Sequence, residues 1–199
     1  VWDSEHGWPS GDVNLSDETQ WPPMTPCVSG WEFGLANPQI AVISMAHKLS
    51  RRIHFKNRID SLCIKETVHW ALAQDGTKMP AATIWLRGPN EATWSHHGQK
   101  DKPGAWGCFV THFAILKQFH ERCAECDAFV FEDDVVFIPG FRNRWRRFLK
   151  ALPEDWDIIR VGAQSLWSPP LVTTPSFFKV AEMSNTWGYV IRAKRVKDV

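Results

Sequence analysis

Apolar residues fall along this chain in short blocks parted by polar turns, and the period within each block predicts an alternation of strands and helices. QIAVISM, residues 39–45, is an apolar run suited to a buried strand. Ser50 can then cap a helix in which Phe55, Ile59 and Leu62 recur at i, i+4 and i+7 on one face. TVHWALA and AATIWLR read as further strands, separated by the turn-forming Asp75-Gly76 pair and by Pro80. The polar stretch RGPNEATWSHHGQKDKPGAWG leads to a second helix expected to begin near Gly107. Phe109, Phe113, Leu116 and His120 would share one of its faces, and it should end near Cys123 and Cys126.

AFVF is the next strand, and FRNRWRRFLKAL a helix with Phe141, Trp145, Phe148, Leu149 and Leu152 on one side until Pro153 stops it. Its other side, with Arg142, Arg144, Arg146, Arg147 and Lys150, reads as a solvated face. DIIRVG reads as another buried strand, SPPLVTTP as a loop, and FFKV and TWGYVI as late strands. Strands alternating with helices predict an α/β fold with a mainly parallel sheet covered on both faces. Ligands of such sheets bind at the carboxyl ends of the strands. Residues 1–38, rich in Trp, Pro, Ser and Asp, follow neither period and read as an irregular N-terminal extension before a single domain at 39–199. Its tryptophans either pack onto that domain or form a separate sugar-stacking surface.

Composition narrows the function classes. With 199 residues, 44% of them apolar, the chain can bury one substantial core. Lys and Arg number 23 against 22 Asp and Glu, so no global field draws it to nucleic acid or an anionic membrane; any anion must be held locally. No apolar run is long enough to span a bilayer, and the opening VWDSEHGWPS has neither a charged n-region nor an apolar h-region. The chain begins with Val rather than Met, which leaves the compartment open. Of the five cysteines, Cys123 and Cys126 form a lone C-x-x-C that no second pair completes into a zinc set, so at most one disulfide is expected.

The chemistry concentrates in FVFEDDVVF, where Glu132, Asp133 and Asp134 follow an apolar strand. Alternation along an extended chain would send Glu132 and Asp134 one way and Asp133 the other. Two carboxylates about 4 Å apart at an effective dielectric of about 20 repel by roughly 4 kcal/mol, so a cation is needed. A divalent ion held by oxygens, Mg²⁺ or Mn²⁺, meets that need and commonly brings a phosphate with it. The alternative is that one acid caps a turn, one pairs with Lys or Arg, and one is solvated.

Four stretches, in order, resemble glycosyltransferase family 25, which contains bacterial lipooligosaccharide galactosyltransferases and the procollagen galactosyltransferases. AVISMAHKLSRR resembles the family's opening strand and Asn-Leu-x-Arg-x-x-Asp-Arg segment, and GAWGCFVTH its Gly-x-x-Gly-Cys-x-x-Ser-His block. FVFEDDVVF is similar to its Leu-Glu-Asp-Asp segment, with DWDIIRVG following, and TWGYVI resembles its late Thr-x-x-Tyr-x-Ile strand. The first block departs from the pattern at Ser44, His47 and Ser50, where the family has Asn, Arg and Asp, and Thr111 stands for Ser.

The resemblance implies a GT-A-like fold and inverting transfer of a sugar, typically galactose, from a UDP-sugar with Mn²⁺ (or Mg²⁺) assistance. By position it implies Glu132 and Asp134 as metal ligands and Asp133 and His112 as catalytic candidates. It places Arg51, Asp75, Gly76, Gly104 and Gly107 around the nucleotide. Each has a plainer alternative: a solvated Arg51, an ordinary Asp75-Gly76 turn, a half-buried His112, and glycines that only tighten a loop. The implied partners are a nucleotide-sugar donor and a glycan or protein acceptor. The implied compartment is cytoplasmic for the bacterial type and the endoplasmic reticulum or Golgi lumen for the procollagen type. The family continues past TWGYVI into a further helix, so the chain is expected to be incomplete at its C-terminus. Two other functions stay open: a degenerate transferase-like domain that binds a glycan or protein, and metal-dependent phosphoryl transfer or hydrolysis.

Overall fold

The computed structural model describes residues 30–78, 103–162, 172–173, 178–179 and 187–196. In chain order these form β1 (Gln39–Ser44), α1 (Leu49–Ser61), β2 (Val68–Leu72), a 3-10 turn (Gly76–Lys78) and α2 (Pro103–Arg122). They continue as β3 (Ala128–Glu132), α3 (Phe141–Ala151), β4 (Ile158–Arg160), β5 (Val172–Thr173), β6 (Phe178–Lys179), β7 (Gly188–Ile191) and α4 (Ala193–Val196). Five strands make one sheet in the order β2-β1-β3-β7-β4, and β5 and β6 pair separately. β1 runs parallel to both β2 and β3, whereas β7 is antiparallel to β3 and β4. The α/β class is as expected, with a parallel centre in a mixed sheet.

Side-chain alternation along the strands builds two cores. Ile40, Val42, Phe129, Phe131 and Val190 face Phe55 and Ile59 of α1 and Phe141 and Trp145 of α3. Ala41, Ile43, Ala128, Val130, Tyr189 and Ile191 face Ile115, Leu116 and Phe119 of α2. The first core is dense in rings. Phe33, just ahead of β1, lies 4.3 Å from the Phe129 ring and 5.7 Å from that of Trp145, whose indole Nε1–H donates to the Phe33 carbonyl at 2.8 Å. Full burial of such a side chain contributes roughly 1.5–3 kcal/mol.

Several sequence expectations are corrected. Ser50 lies inside α1 rather than capping it, because the helix already starts at Leu49 after Lys48. Helix α2 begins at Pro103, four residues before Gly107, since proline suits a first helical turn. Its buried face is Gly107, Thr111, His112, Ile115, Leu116 and Phe119, so Phe109 and Phe113 lie beside the contact rather than in it. β4 is a sheet edge and buries only Ile159. Val172 and Thr173, expected in a loop, pair with Phe178 and Lys179. AATIWLR and the His96-His97 stretch lie outside the described residues.

The cysteines also differ from expectation. Cys123 and Cys126 are disulfide-bonded just past α2, Cys63 is disulfide-bonded as well, and Cys108 is an exposed thiol. More than one bridge is therefore present.

Topology fixes where a ligand can sit. The connection after β1 goes to β2 on one side, while β3 joins β1 on the other, so the carboxyl ends of β1 and β3 border a switch point. The turn after β2 is locked against the start of α2 by two glycines. A Cβ on Gly76 would lie 1.7 Å from the Pro103 carbonyl oxygen, and one on Gly107 would lie 2.3 Å from that of Gln74. Only glycine allows backbones so close.

Candidate functional site

At the switch point the acid triplet divides. β3 ends at Glu132, and residues 133 and 134 turn, so strand alternation governs Glu132 and Asp133 but not Asp134. Asp133 faces the α1 side, where Ser44, the last residue of β1, donates its hydroxyl to Oδ2 at 2.5 Å. The Asp133 amide also donates to the Ile43 carbonyl at 3.1 Å, which holds the carboxylate in place. Arg51, in the first turns of α1, sends Nη1 to Asp133 Oδ1 and Asp134 Oδ2, each at 3.3 Å. The expected pairing of Glu132 with Asp134 on one side is thus replaced by Asp133 and Asp134 sharing one guanidinium.

Burial differs sharply between those two acids. Asp133 is 6% exposed, whereas the Asp134 side chain is 41% exposed and that of Arg51 50%. Partial burial, and then the charge of Glu132, push the Asp134 carboxyl above the usual carboxylate range, with Arg51 offsetting only part of this. Arg52, at 2% exposure, bonds Ser44 Oγ and the Met45 carbonyl. Burial lowers its pKa and nearby Asp133 opposes that shift.

Glu132 faces the other side of the sheet, toward α2. Its Oε1 lies 3.6 Å from His112 Nε2, and His112 Nδ1 is 3.0 Å from the Tyr189 hydroxyl on β7. Burial alone would push the His112 imidazole down. Cys108 and Glu132 outweigh it and raise the pKa to about 9. Burial likewise pushes the Tyr189 phenol up. Cys108 precedes His112 by one helical turn, so the two share a face, and one ligand atom each from Cys108, His112 and Glu132 lie within 4.8 Å of one another. This triad can hold a metal ion.

The remaining expected residues sit around this centre to different degrees. Asp75 Oδ1 accepts from the Thr77 amide and hydroxyl, at 3.0 and 2.6 Å, and these bonds lower its pKa. Gly76 and Gly107 form the backbone contact described above, while a Cβ on Gly104 would meet nothing within 4 Å. Thr111 bonds the same corner, donating to the Gly107 carbonyl and accepting from the Gln74 amide. Ser44, Arg52, Cys108 and Tyr189 escaped sequence reasoning. Arg52 was visible as the second arginine of an Arg-Arg pair, and Tyr189 as the sole tyrosine of the chain.

A groove of about 540 Å³ opens at the amino-terminal ends of β1 and β2, lined by Glu32, Lys65, Glu66 and His69 among others. Lys65 pairs with Glu32 at 3.0 Å, and Glu66 Oε1 accepts from the Phe33 amide. We place the chemistry at the switch point, where polar groups converge. Among the described residues no helix is long and apolar enough to cross a membrane.

Comparison with known proteins identifies the family. The chain is 26% identical over 132 residues to procollagen galactosyltransferase 1-A of Xenopus laevis, covering 64% of this chain and 21% of that protein. It is 27% identical over 95 residues to human procollagen galactosyltransferase 2, covering 44% of this chain and 15% of that protein. It is also 31% identical over 74 residues to human inactive glycosyltransferase 25 family member 3, covering 36% of this chain and 12% of that protein. The matches span 12–21% of the length of these relatives. The sequence profile described as glycosyltransferase family 25 (LPS biosynthesis protein) matches residues 37–199, so that the switch-point acids, Arg51 and the Cys108–His112 turn all fall within the match, and the chain belongs to that family.

Proposed function

We propose that this chain transfers a sugar, galactose in the simplest case, from a UDP-sugar to a hydroxyl of a glycan or a hydroxylated protein, with inversion and with help from Mn²⁺. The observation that carries this reading is the cluster of Arg51, Asp133 and Asp134 at the β1–β3 switch point, inside the family match. The galactosyltransferase names of the relatives favour galactose over other sugars.

The residues present fit a hard cation. Asp133 and Asp134 already aim oxygens at one positive group, and the Asp134 pKa is raised by burial first and then by the charge of Glu132, which a half-exposed Arg51 offsets only in part. Asp134, one of the expected ligands, would hold the ion beside Asp133, while Glu132, the other, faces α2. A divalent ion, when bound, would supply stabilisation of negative charge on a diphosphate leaving group. Asp133, fixed by Ser44, keeps the acidic corner rigid. Arg51, released from the acids, offers a planar donor face to a phosphate oxygen. The Asp75-Gly76 turn and the start of α2, with Gly104 and Gly107, border the donor, and His112 steadies Glu132 from the far side of the sheet.

The test is UDP release from UDP-galactose by the purified chain, with and without Mn²⁺, beside Asp134→Asn. Metal-dependent release that disappears in the variant supports transfer. Inorganic phosphate released without any acceptor would favour phosphoryl chemistry instead.

A second reading has its own observation: the Arg51 guanidinium already occupies the position between Asp133 and Asp134. With Ser44, His47 and Ser50 departing from the family pattern, and an inactive member among the relatives, a degenerate domain that binds a glycan or protein fits this arrangement. It predicts no UDP–Mn²⁺ binding by calorimetry.

A further inference from the structure

We infer that Cys108, His112 and Glu132 form a zinc-type metal site, separate from the hard-ion corner made by Asp133 and Asp134. The inference rests on the geometry of α2 and β3 and does not depend on the transferase reading.

Three observations lead to it. Cys108 and His112 stand one turn apart on α2, and Glu132 closes the group from the end of β3, with one ligand atom from each within 4.8 Å of the others. His112 is 8% exposed, yet its Nε2 has no hydrogen-bond partner and points toward Glu132 Oε1 at 3.6 Å. A buried polar atom left in that condition costs free energy, and a metal would satisfy it. Finally, Nδ1 of the same ring is held at 3.0 Å by the Tyr189 hydroxyl. If Nδ1–H donates to that oxygen, the Nε2 lone pair is turned to the metal, the usual way an outer partner fixes a ligating histidine.

The donor set selects the metal. Sulfur, imidazole and one carboxylate suit Zn²⁺, whereas Mn²⁺ and Mg²⁺ prefer oxygen. Zinc bonds of about 2.0–2.3 Å set tetrahedral ligands about 3.3–3.6 Å apart, so the 3.6 Å between His112 and Glu132 is nearly in place and the sulfur has about 1 Å to close. On binding, the S–Zn bond forms as the Cys108 thiol proton passes to solvent, and a proton carried by His112 Nε2 passes to solvent as well, so that the ring binds in its neutral form. Three protein ligands leave a fourth position for water or a substrate oxygen.

The experiment strips the purified chain with a chelator, then titrates Zn²⁺ by calorimetry and Co²⁺ by absorption, in the parent and in Cys108→Ser, His112→Gln and Tyr189→Phe. The expected result is one equivalent of either metal and a near-ultraviolet thiolate-to-cobalt band. The band vanishes in Cys108→Ser. Affinity falls by at least about a hundredfold in His112→Gln and by about tenfold in Tyr189→Phe. Cys108 is exposed, so its serine variant keeps the fold, checked by circular dichroism. Cobalt bound without the band, equal Zn²⁺ affinity in Cys108→Ser, or no stoichiometric binding in the parent would each overturn the proposal.

Discussion

The two sides of the β3 carboxyl end hold negative charge in opposite ways. On the α1 side, Asp133 is buried, bonded by Ser44, and shares the Arg51 guanidinium with Asp134. On the α2 side, Glu132 meets an imidazole with an unpartnered Nε2 and a thiol one helical turn away. The first arrangement joins oxygen and nitrogen groups directly; the second sets a thiol, an imidazole and a carboxylate within 4.8 Å of one another. Adjacent residues of one strand end thus meet different surroundings because each faces a different helix.

The largest expected effect that tests this contrast is from Asp133→Ala. It removes a buried carboxylate and leaves Arg51, Arg52 and Ser44 facing a void, for a loss of about 3 kcal/mol, or about 6–12 °C in Tm for a chain of this size. A thermal melt checks it. A loss smaller than that of His112→Gln would reverse the view that the α1 side is the more tightly joined.

Next in size is the glycine contact that brings α2 to the site. Gly107→Val forces a Cβ against the Gln74 carbonyl oxygen and should cost about 2 kcal/mol. Gly104→Ala has open space and should stabilise by about 0.4 kcal/mol. Urea unfolding of both variants decides the point, and equal effects would disprove the close approach.

A third effect follows from pH in the metal-free chain. The folded His112 pKa of about 9 lies above its ordinary 6.5, so the stabilisation from its proton is complete below about pH 6.5 and is lost as pH rises through 9. Tm should fall across that window, and His112→Gln should flatten the fall. The smallest effect belongs to Asp134→Asn. Burial and Glu132 raise the Asp134 pKa, so its charge opposes the fold at neutral pH, and the amide should leave Tm unchanged or about 1 °C higher. A clear drop would mean that the Arg51 contact outweighs the repulsion.

Much of the scaffold was legible in local pattern. QIAVIS, AFVF and GYVI are buried strands because both sheet faces are covered, and the 3.6 period of Phe55 and Ile59 marked α1 correctly. What failed was set by position in the fold. Ser50 resembles a cap until the turn ahead of α1 places Lys48 there, and DIIRVG looks like a buried strand until the sheet order puts β4 at an edge. The acids as a site were legible from their unfavourable clustering, and Arg51 from the family pattern. Their division between two helices was not, because it depends on β3 ending at Glu132. Cys108 and Tyr189 were visible as residues but not as neighbours, for a similar reason: a thiol and a phenol meet only when α2 and β7 bring them to one histidine.

The meeting of Gly76 with Pro103 and Gly107 has one more consequence. The chain leaves the sheet and re-enters α2 at nearly the same point, so whatever lies between is tethered at a closed neck. The entropy of closing such an excursion grows only logarithmically with its length. Insertions and deletions there are therefore cheap for the sheet as long as the two glycines keep the neck closed.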